Sequence, residues 1–157
     1  MKESRLYCNF MGYTTVVAEE MVGIAPSSNG RIGEVFKQNE KRLFKYYRSL
    51  DEGQFATLCG VELNPDDEIR SWVIQQLMCN FTLNYDVFET HFSECFTEYL
   101  DEELAVLRNF AKDDFVEVRD DANHLLSVGQ IFVRNIAMVF DAYLKKTQEH
   151  VQFSRIV

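Results

Sequence analysis

Close to the start of the chain, Arg5-Leu6-Tyr7-Cys8-Asn9-Phe10 is a short β-prone run, and Gly12-Tyr13-Thr14-Thr15 follows it as loop. A single strand leaves its backbone donors and acceptors unpaired, so it needs a neighbour. The rest of the chain offers mostly helical patterns. The run therefore reads as the edge of something larger. Four of the seven glycines, with Pro26 and Ser27-Ser28-Asn29, also fall in the first 35 residues, which marks a strand and loop segment.

From residue 38 onward the periodicity is helical. Asn39 is placed to cap a helix whose apolar positions, Leu43, Phe44, Tyr47 and Leu50, share one face, and Gly53 stops it. A short apolar piece, Phe55 to Leu63, comes next. Asn64-Pro65-Asp66-Asp67-Glu68 then supplies a cap, a proline for the first turn, and acids that the helix dipole favours. The stripe of that second helix is Ile69, Val73, Leu77 and Phe81. A short helix over Tyr85 to His91 precedes a longer one, about Tyr99 to Lys112, with Leu100, Leu104, Leu107 and Ala111 inward. Phe115 to Val118 alternates like a strand, Asp120 to Asn123 turns, and Leu125-Leu126 returns. Ser127, with Gln130 completing a capping box, opens a last long helix that buries Ile131, Phe132, Ile136, Val139, Phe140, Tyr143 and Leu144. The expected fold is mainly α (α+β), a helical domain with a winged-helix-like C-terminal unit. We divide it at residues 1–37 and 38–157.

Charge and composition exclude several classes of function. The chain has 157 residues, is 46% hydrophobic and 13% aromatic, and can bury a real core. No apolar run reaches the roughly 18 residues of a membrane span, and the N-terminus lacks a signal peptide's apolar stretch, so a cytoplasmic location is expected. Residues 1–50 carry a net +3 and residues 51–157 a net −12. A field of the second sign repels phosphate backbones and anionic lipid. Residues 94–121 hold ten acids against three bases, so the winged-helix shape does not imply DNA binding. Neither nucleic acid nor membrane is an expected partner.

Candidate chemistry is sparse. Cys8, Cys59, Cys79 and Cys95 lie 51, 20 and 16 residues apart, without a C-x-x-C pair, and read as buried thiols. His91 and Cys95 are four apart, as if on one helix face, but two ligands do not make a metal site. Asp66-Asp67 and Asp113-Asp114 fit capping and turn roles. Asn80-Phe81-Thr82 matches a glycosylation acceptor, a short pattern common by chance. The residues themselves identify no catalytic and no metal-binding group.

Four strings go further. Asn9-Phe10-Met11-Gly12-Tyr13-Thr14-Thr15 resembles the N-F-Q-G-Y-T-T segment of the oxygen-independent coproporphyrinogen III oxidases, radical S-adenosylmethionine enzymes of haem synthesis. Leu77-Met78-Cys79-Asn80-Phe81 resembles that family's L-(M/I)-C-N-F. Arg134-Asn135-Ile136-Ala137-Met138-Val139-Phe140-Asp141-Ala142-Tyr143-Leu144 is similar to its R-N-I-x-M-x-F-D-x-Y-L, and Gln152-Phe153-Ser154-Arg155-Ile156-Val157 to its terminal Q-F-S-R-V-I. The strings keep the family's order and cover essentially the whole chain, but only the last third of a family member.

The resemblance implies a radical S-adenosylmethionine barrel as partner, upstream in the same chain or separate, with a porphyrinogen substrate. The complete enzyme would use S-adenosyl-L-methionine and a 4Fe–4S cluster, held by a C-x-x-x-C-x-x-C triplet, to turn two propionates of coproporphyrinogen III into the vinyl groups of protoporphyrinogen IX. This sequence lacks the triplet, so alone it is expected to bind neither cofactor and to be inactive, covering the active site instead. The first strand segment would belong to the barrel's edge. Phe10, Met11 and Asn29 fall at the family's cofactor-facing positions. Met11 replaces the family's Gln. Gly23-Ile24-Ala25-Pro26-Ser27-Ser28-Asn29-Gly30 stands where the family has G-x-G-V-S-A-I-S, so an amide replaces an apolar wall at Asn29, unfavourable unless it finds a partner. The alternative is a stand-alone, barrel-less relative that binds a porphyrin or a protein partner.

Overall fold

The computed structural model describes residues 6–9, 12–15 and 20–147. The first strand has a partner within the chain. β1 (Tyr7–Asn9) pairs antiparallel with β2 (Gly12–Thr14), with Asn9 opposite Gly12. The segment expected to be strand and loop is thus a hairpin, and Gly12 takes the positive φ of 118° that its turn requires. The hairpin lies against α2 (Pro65–Asn80).

A second sheet follows, antiparallel in the order β3-β4-β5: β3 (Asn29–Ile32), β4 (Val35–Asn39) and β5 (Thr57–Glu62). Gly33, at φ 54°, turns β3 into β4. Residue 37 lies inside β4, so this sheet runs across the division drawn from the sequence. The apolar piece expected at Phe55 to Leu63 is β5. The helix after β4 forms as α1 (Leu43–Asp51), but Arg42 occupies its N-cap position with no side-chain bond. Asn39 is not a cap. It is the buried last residue of β4, because the loop before the sheet needs its amide. The apolar face of α1 exists as the periodicity requires, yet Leu43, Phe44, Tyr47 and Leu50 are exposed, and only Tyr46 is buried.

The core lies beyond residue 64. Asn64 caps α2 in a reciprocal box: its side chain accepts from the Asp67 N–H at 3.0 Å, while Asp67 Oδ2 accepts from the Asn64 N–H at 3.0 Å. The stripe Ile69, Val73 and Leu77 is buried, and Phe81 ends the helix in the left-handed conformation, φ 57°. α3 (Tyr85–Phe92), α4 (Phe96–Tyr99) and α5 (Asp101–Lys112) follow, contributing Phe88, Phe96, Leu100, Leu104 and Leu107 to one cluster. The expected hairpin forms as β7 (Val116–Val118) and β8 (Ala122–Leu125). A third strand, β6 (Thr82–Asn84), pairs with β8 and gives the order β6-β8-β7. With two three-stranded sheets and a hairpin, the chain is mixed α and β rather than mainly helical.

The last long helix is broken. It forms as α6 (Ser127–Ile131), α7 (Val133–Ala137), a 3-10 turn at Met138–Phe140, and α8 (Ala142–Thr147). No capping box opens it. Leu126 holds the cap position, and Gln130 Nε2 donates to the Leu125 carbonyl at 3.2 Å. Gly129 explains the geometry: a Cβ there would lie 1.9 Å from the Phe115 carbonyl oxygen, so α6 is pressed onto the strand loop and cannot run straight on. Consequently Ile136 and Phe140 are buried, while Ile131 is 78% exposed and Phe132 and Tyr143 are also exposed. Two of the thiols expected to be buried are exposed. Cys79 is buried, Cys59 and Cys95 are exposed, and the Cys8 side chain lies outside the described residues. Among the described residues no helix is long and apolar enough to cross a membrane.

Candidate functional site

Of the three positions assigned to cofactor contact, Phe10 and Met11 lie outside the described residues, between the two strands of the first hairpin. Asn29 opens β3, half-buried, and its Oδ1 accepts from Gln38 Nε2 across the sheet at 3.0 Å. The amide at this position therefore has the partner that its burial demands.

The loop before Asn29 is tightly built. Asn39 Nδ2 donates to the carbonyls of Gly23 (2.9 Å) and Ala25 (3.2 Å) and to Ser28 Oγ (3.2 Å). Ser28 Oγ accepts from the Ala25 N–H at 3.0 Å and donates to the Ala25 carbonyl. Tyr46 of α1 donates its phenolic proton to the Ile24 carbonyl at 2.8 Å. A Cβ at Gly23 would meet the Asn29 carbonyl oxygen at 2.6 Å, so only glycine allows this closeness. Around this loop the surface is apolar. Ile24 is 84% exposed, Phe44 75% and Phe55 90%, with Val22, Leu43, Tyr47, Leu58 and Val61 exposed as well.

A second feature lies where two of the recognised strings meet. Ser71, Ile74, Gln75 and Met78 share one face of α2, as the 3.6-residue period dictates. Opposite them stand Arg134, Ala137, Met138 and Asp141, and between the two lies an open groove of about 340 Å³. Its walls are fixed by a buried polar clamp. Arg70 donates to Asp66 (2.8 Å), Glu103 (3.0 Å) and the Phe140 carbonyl (3.2 Å), which ties α2 to the 3-10 turn. Tyr143 donates to Asp67 at 3.0 Å, and Tyr99 to Asp66 at 2.8 Å. Burial first, and then the Asp66 carboxylate, pushes the Tyr99 phenol up to about 12. Tyr13 of β2 donates to the Met78 carbonyl at 3.3 Å, one of the last carbonyls of α2 that lacks an intrahelical partner. Tyr13 of β2 thus reaches a residue that lines the groove.

Comparison with known proteins places these features. No family model matches the chain. Oxygen-independent coproporphyrinogen III oxidases do: that of Salmonella typhimurium is 38% identical over 156 residues, covering 99% of this chain and 34% of the relative. The enzyme of Pseudomonas aeruginosa is 36% identical over the same length, and that of Helicobacter pylori 34% over 150 residues. The solved structure of coproporphyrinogen III oxidase from Escherichia coli, a radical S-adenosylmethionine enzyme, superposes with a TM-score of 0.86 at 38% identity, covering 91% of this chain and 33% of that one. By sequence and by fold, this chain matches one third of an oxygen-independent coproporphyrinogen III oxidase. It spans about a third of the length of the curated relatives it matches.

Among the described residues no group of three or more His, Cys, Asp or Glu is able to hold a metal. His91 stacks on Trp72 at 5.9 Å, and α3 ends before Cys95, so these two do not share a helix face. The paired acids cap and turn: Asp67 completes the box on α2, and Asp114 sits at φ 58° after α5. Sequence reasoning missed Tyr13, Arg70 and Asn39 as positioning residues. Met78 and Arg134 stand in different strings, and 56 positions of chain separate them, so no local pattern brings them together.

Proposed function

We propose that this chain serves as the C-terminal portion of an oxygen-independent coproporphyrinogen III oxidase, in which a radical S-adenosylmethionine barrel converts coproporphyrinogen III to protoporphyrinogen IX. In this reading the chain covers the open end of the barrel, and its own residues bind, orient and exclude water. S-adenosylmethionine and the cluster belong to the barrel and supply the radical chemistry. Water exclusion is the helical part's contribution, because a reactive intermediate exposed to solvent is lost to side reactions. Asn29 lies in the cofactor wall, where its amide is held by Gln38. Phe10 and Met11 take the family's cofactor-facing positions, and the C-terminal part forms a winged-helix-like unit.

The observation that carries this reading is the apolar surface over residues 22–61, in a chain whose relatives are about three times as long. So many exposed apolar side chains in one stretch of chain, with β5 at the sheet's edge, mark an interaction surface. Its occupant is the remaining two thirds of the oxidase. The test is to mix the chain with a separately expressed barrel and follow deoxyadenosine release. Complex formation with faster S-adenosylmethionine cleavage is expected, and a barrel that neither binds the chain nor changes its cleavage rate overturns the reading. In the joined protein, Asn29→Ile restores an apolar wall and is expected to tighten S-adenosylmethionine binding. Unchanged or weaker binding in equilibrium dialysis removes Asn29 from the wall.

A second reading, a stand-alone tetrapyrrole-binding or interaction module, is supported by where the core lies. Every buried residue of the main cluster falls between Ile69 and Phe140, so that part can fold without a barrel. Capture of the native protein from its source cells separates the readings by mass. A species near 18.4 kDa supports the module, and one about three times larger supports the oxidase.

A further inference from the structure

We propose that the groove between α2 and the Arg134–Asp141 segment seats a propionate-bearing pyrrole of the tetrapyrrole, with the Arg134 guanidinium as the partner of its carboxylate. The inference rests on the reading that a coproporphyrinogen-type tetrapyrrole is the ligand of this assembly, and it adds the place on this chain where that ligand lies.

The chemistry of the lining carries it. Ile74, Met78, Ala137 and Met138 give an apolar bed on which a pyrrole ring and its methylenes can lie, and Met side chains adapt readily to such a shape. The groove's volume of about 340 Å³ is at the lower end of the range for small-molecule sites, which suits one edge of a macrocycle rather than the whole. Arg134 supplies the fork that pairs with a carboxylate. In a chain of net charge −9, four of the seven described arginines already have an acid: Arg31, Arg48, Arg70 and Arg119 each have a carboxylate within 3.9 Å. Arg134 has none among the described residues. Asp141, on the same wall, turns Oδ1 to the backbone N–H groups of Tyr143 (2.9 Å) and Leu144 (3.2 Å), where it caps α8. The groove thus holds one available cation and one committed anion, a polarity that orients a ligand with a single carboxylate at the Arg134 end. The buried residues of the two strings, Leu77, Cys79, Ile136 and Phe140, are explained by the core. Ile74 and Met78 pack against the core with one side and face the groove with the other, while Met138 and Arg134 are exposed. Finally, Tyr13 fastens β2 to the carbonyl of Met78, a residue of the groove's lining.

The test titrates coproporphyrin III, the stable oxidised form, into the full chain and follows porphyrin emission. Saturable binding is expected. Arg134→Gln should weaken it about tenfold, Arg134→Lys less, and the tetramethyl ester should bind wild type no better than coproporphyrin binds Arg134→Gln. Arg134 is exposed, so circular dichroism and the thermal midpoint of the variants should match wild type. Absence of saturable binding, equal affinity in Arg134→Gln, or equal binding of the ester overturns the proposal. An Arg134→Gln chain that binds porphyrin normally but no longer binds the barrel would show that Arg134 meets a protein carboxylate. That outcome overturns this inference and leaves the docking reading standing, whereas a wild-type chain that binds porphyrin but no barrel does the reverse.

Discussion

The Arg70 guanidinium is mostly removed from water and lies among Asp66, Glu103 and the Phe140 carbonyl, while the Glu103 side chain is 3% exposed. Replacing both partners of such a pair by apolar groups can be neutral, but removing one leaves a buried charge without its partner. Arg70→Met is therefore expected to lower stability by about 3 kcal/mol, read as a shift of the urea midpoint at unchanged slope. A shift within error would mean that water reaches Glu103. Tyr99, on the same cluster, gives a pH signature. Its phenol is raised from the ordinary value to about 12 by burial and by Asp66, so between those values the folded chain binds more protons than the unfolded one. The contribution is complete below pH 10 and is lost as pH rises through about 12. The stability gap between wild type and Tyr99→Phe should thus be constant up to pH 10 and close above it. A gap that stays constant to pH 12 would show that Tyr99 is not the group involved.

Among the elements, α2 shows what local sequence can specify. Asn64, Pro65 and three acids fix its start through bonds within four residues, and the 3.6-residue period fixes its buried face, so both are readable without the rest of the fold. β6 has only three residues, and its hydrogen bonds go to β8 some forty positions away, which no local pattern reveals. The breaks in the last helical run have a similar cause. Ser127 to Leu144 keeps one helical period throughout, but the Phe115 carbonyl accepts from the Leu126 N–H at 3.0 Å and then occupies the space beside Gly129. Asn39 was legible as a helix cap because Asn favours caps, while its actual carbonyl partners lie 14 and 16 residues upstream. Gly129→Ala places a methyl group where there is no room. It should cost about 3 kcal/mol or more, despite alanine's better helix propensity, and should expose the β6-β8-β7 sheet to hydrogen exchange. A variant as stable as wild type would mean that α6 is free to move away from Phe115.

At the scale of the whole molecule, the chain divides into a part that satisfies its own apolar residues and a part that does not. The main buried cluster draws all its members from Ile69 to Phe140, whereas β5 is exposed at all six positions and α1 turns its apolar face outward. Amphipathic spacing identified the face of α1 but not its covering, because periodicity records that a surface is to be buried and not which molecule buries it. Phe44 and Phe55 are the most exposed aromatic side chains there, and Lys37 Nζ lies over the Phe55 ring at 5.7 Å. Without a barrel these surfaces should find each other, and sedimentation velocity of the isolated chain is expected to show concentration-dependent association. Phe44→Lys with Phe55→Lys should abolish that association and weaken capture by a barrel. The thermal midpoint should move little, since substitutions at such exposed positions usually change stability by less than about 0.5 kcal/mol. A wild-type chain that stays monomeric at every concentration, or a double variant that still binds the barrel with wild-type affinity, would place the docking surface elsewhere on the fold. The double variant also isolates the groove: porphyrin binding at Arg134 should survive it, because neither phenylalanine lines that site.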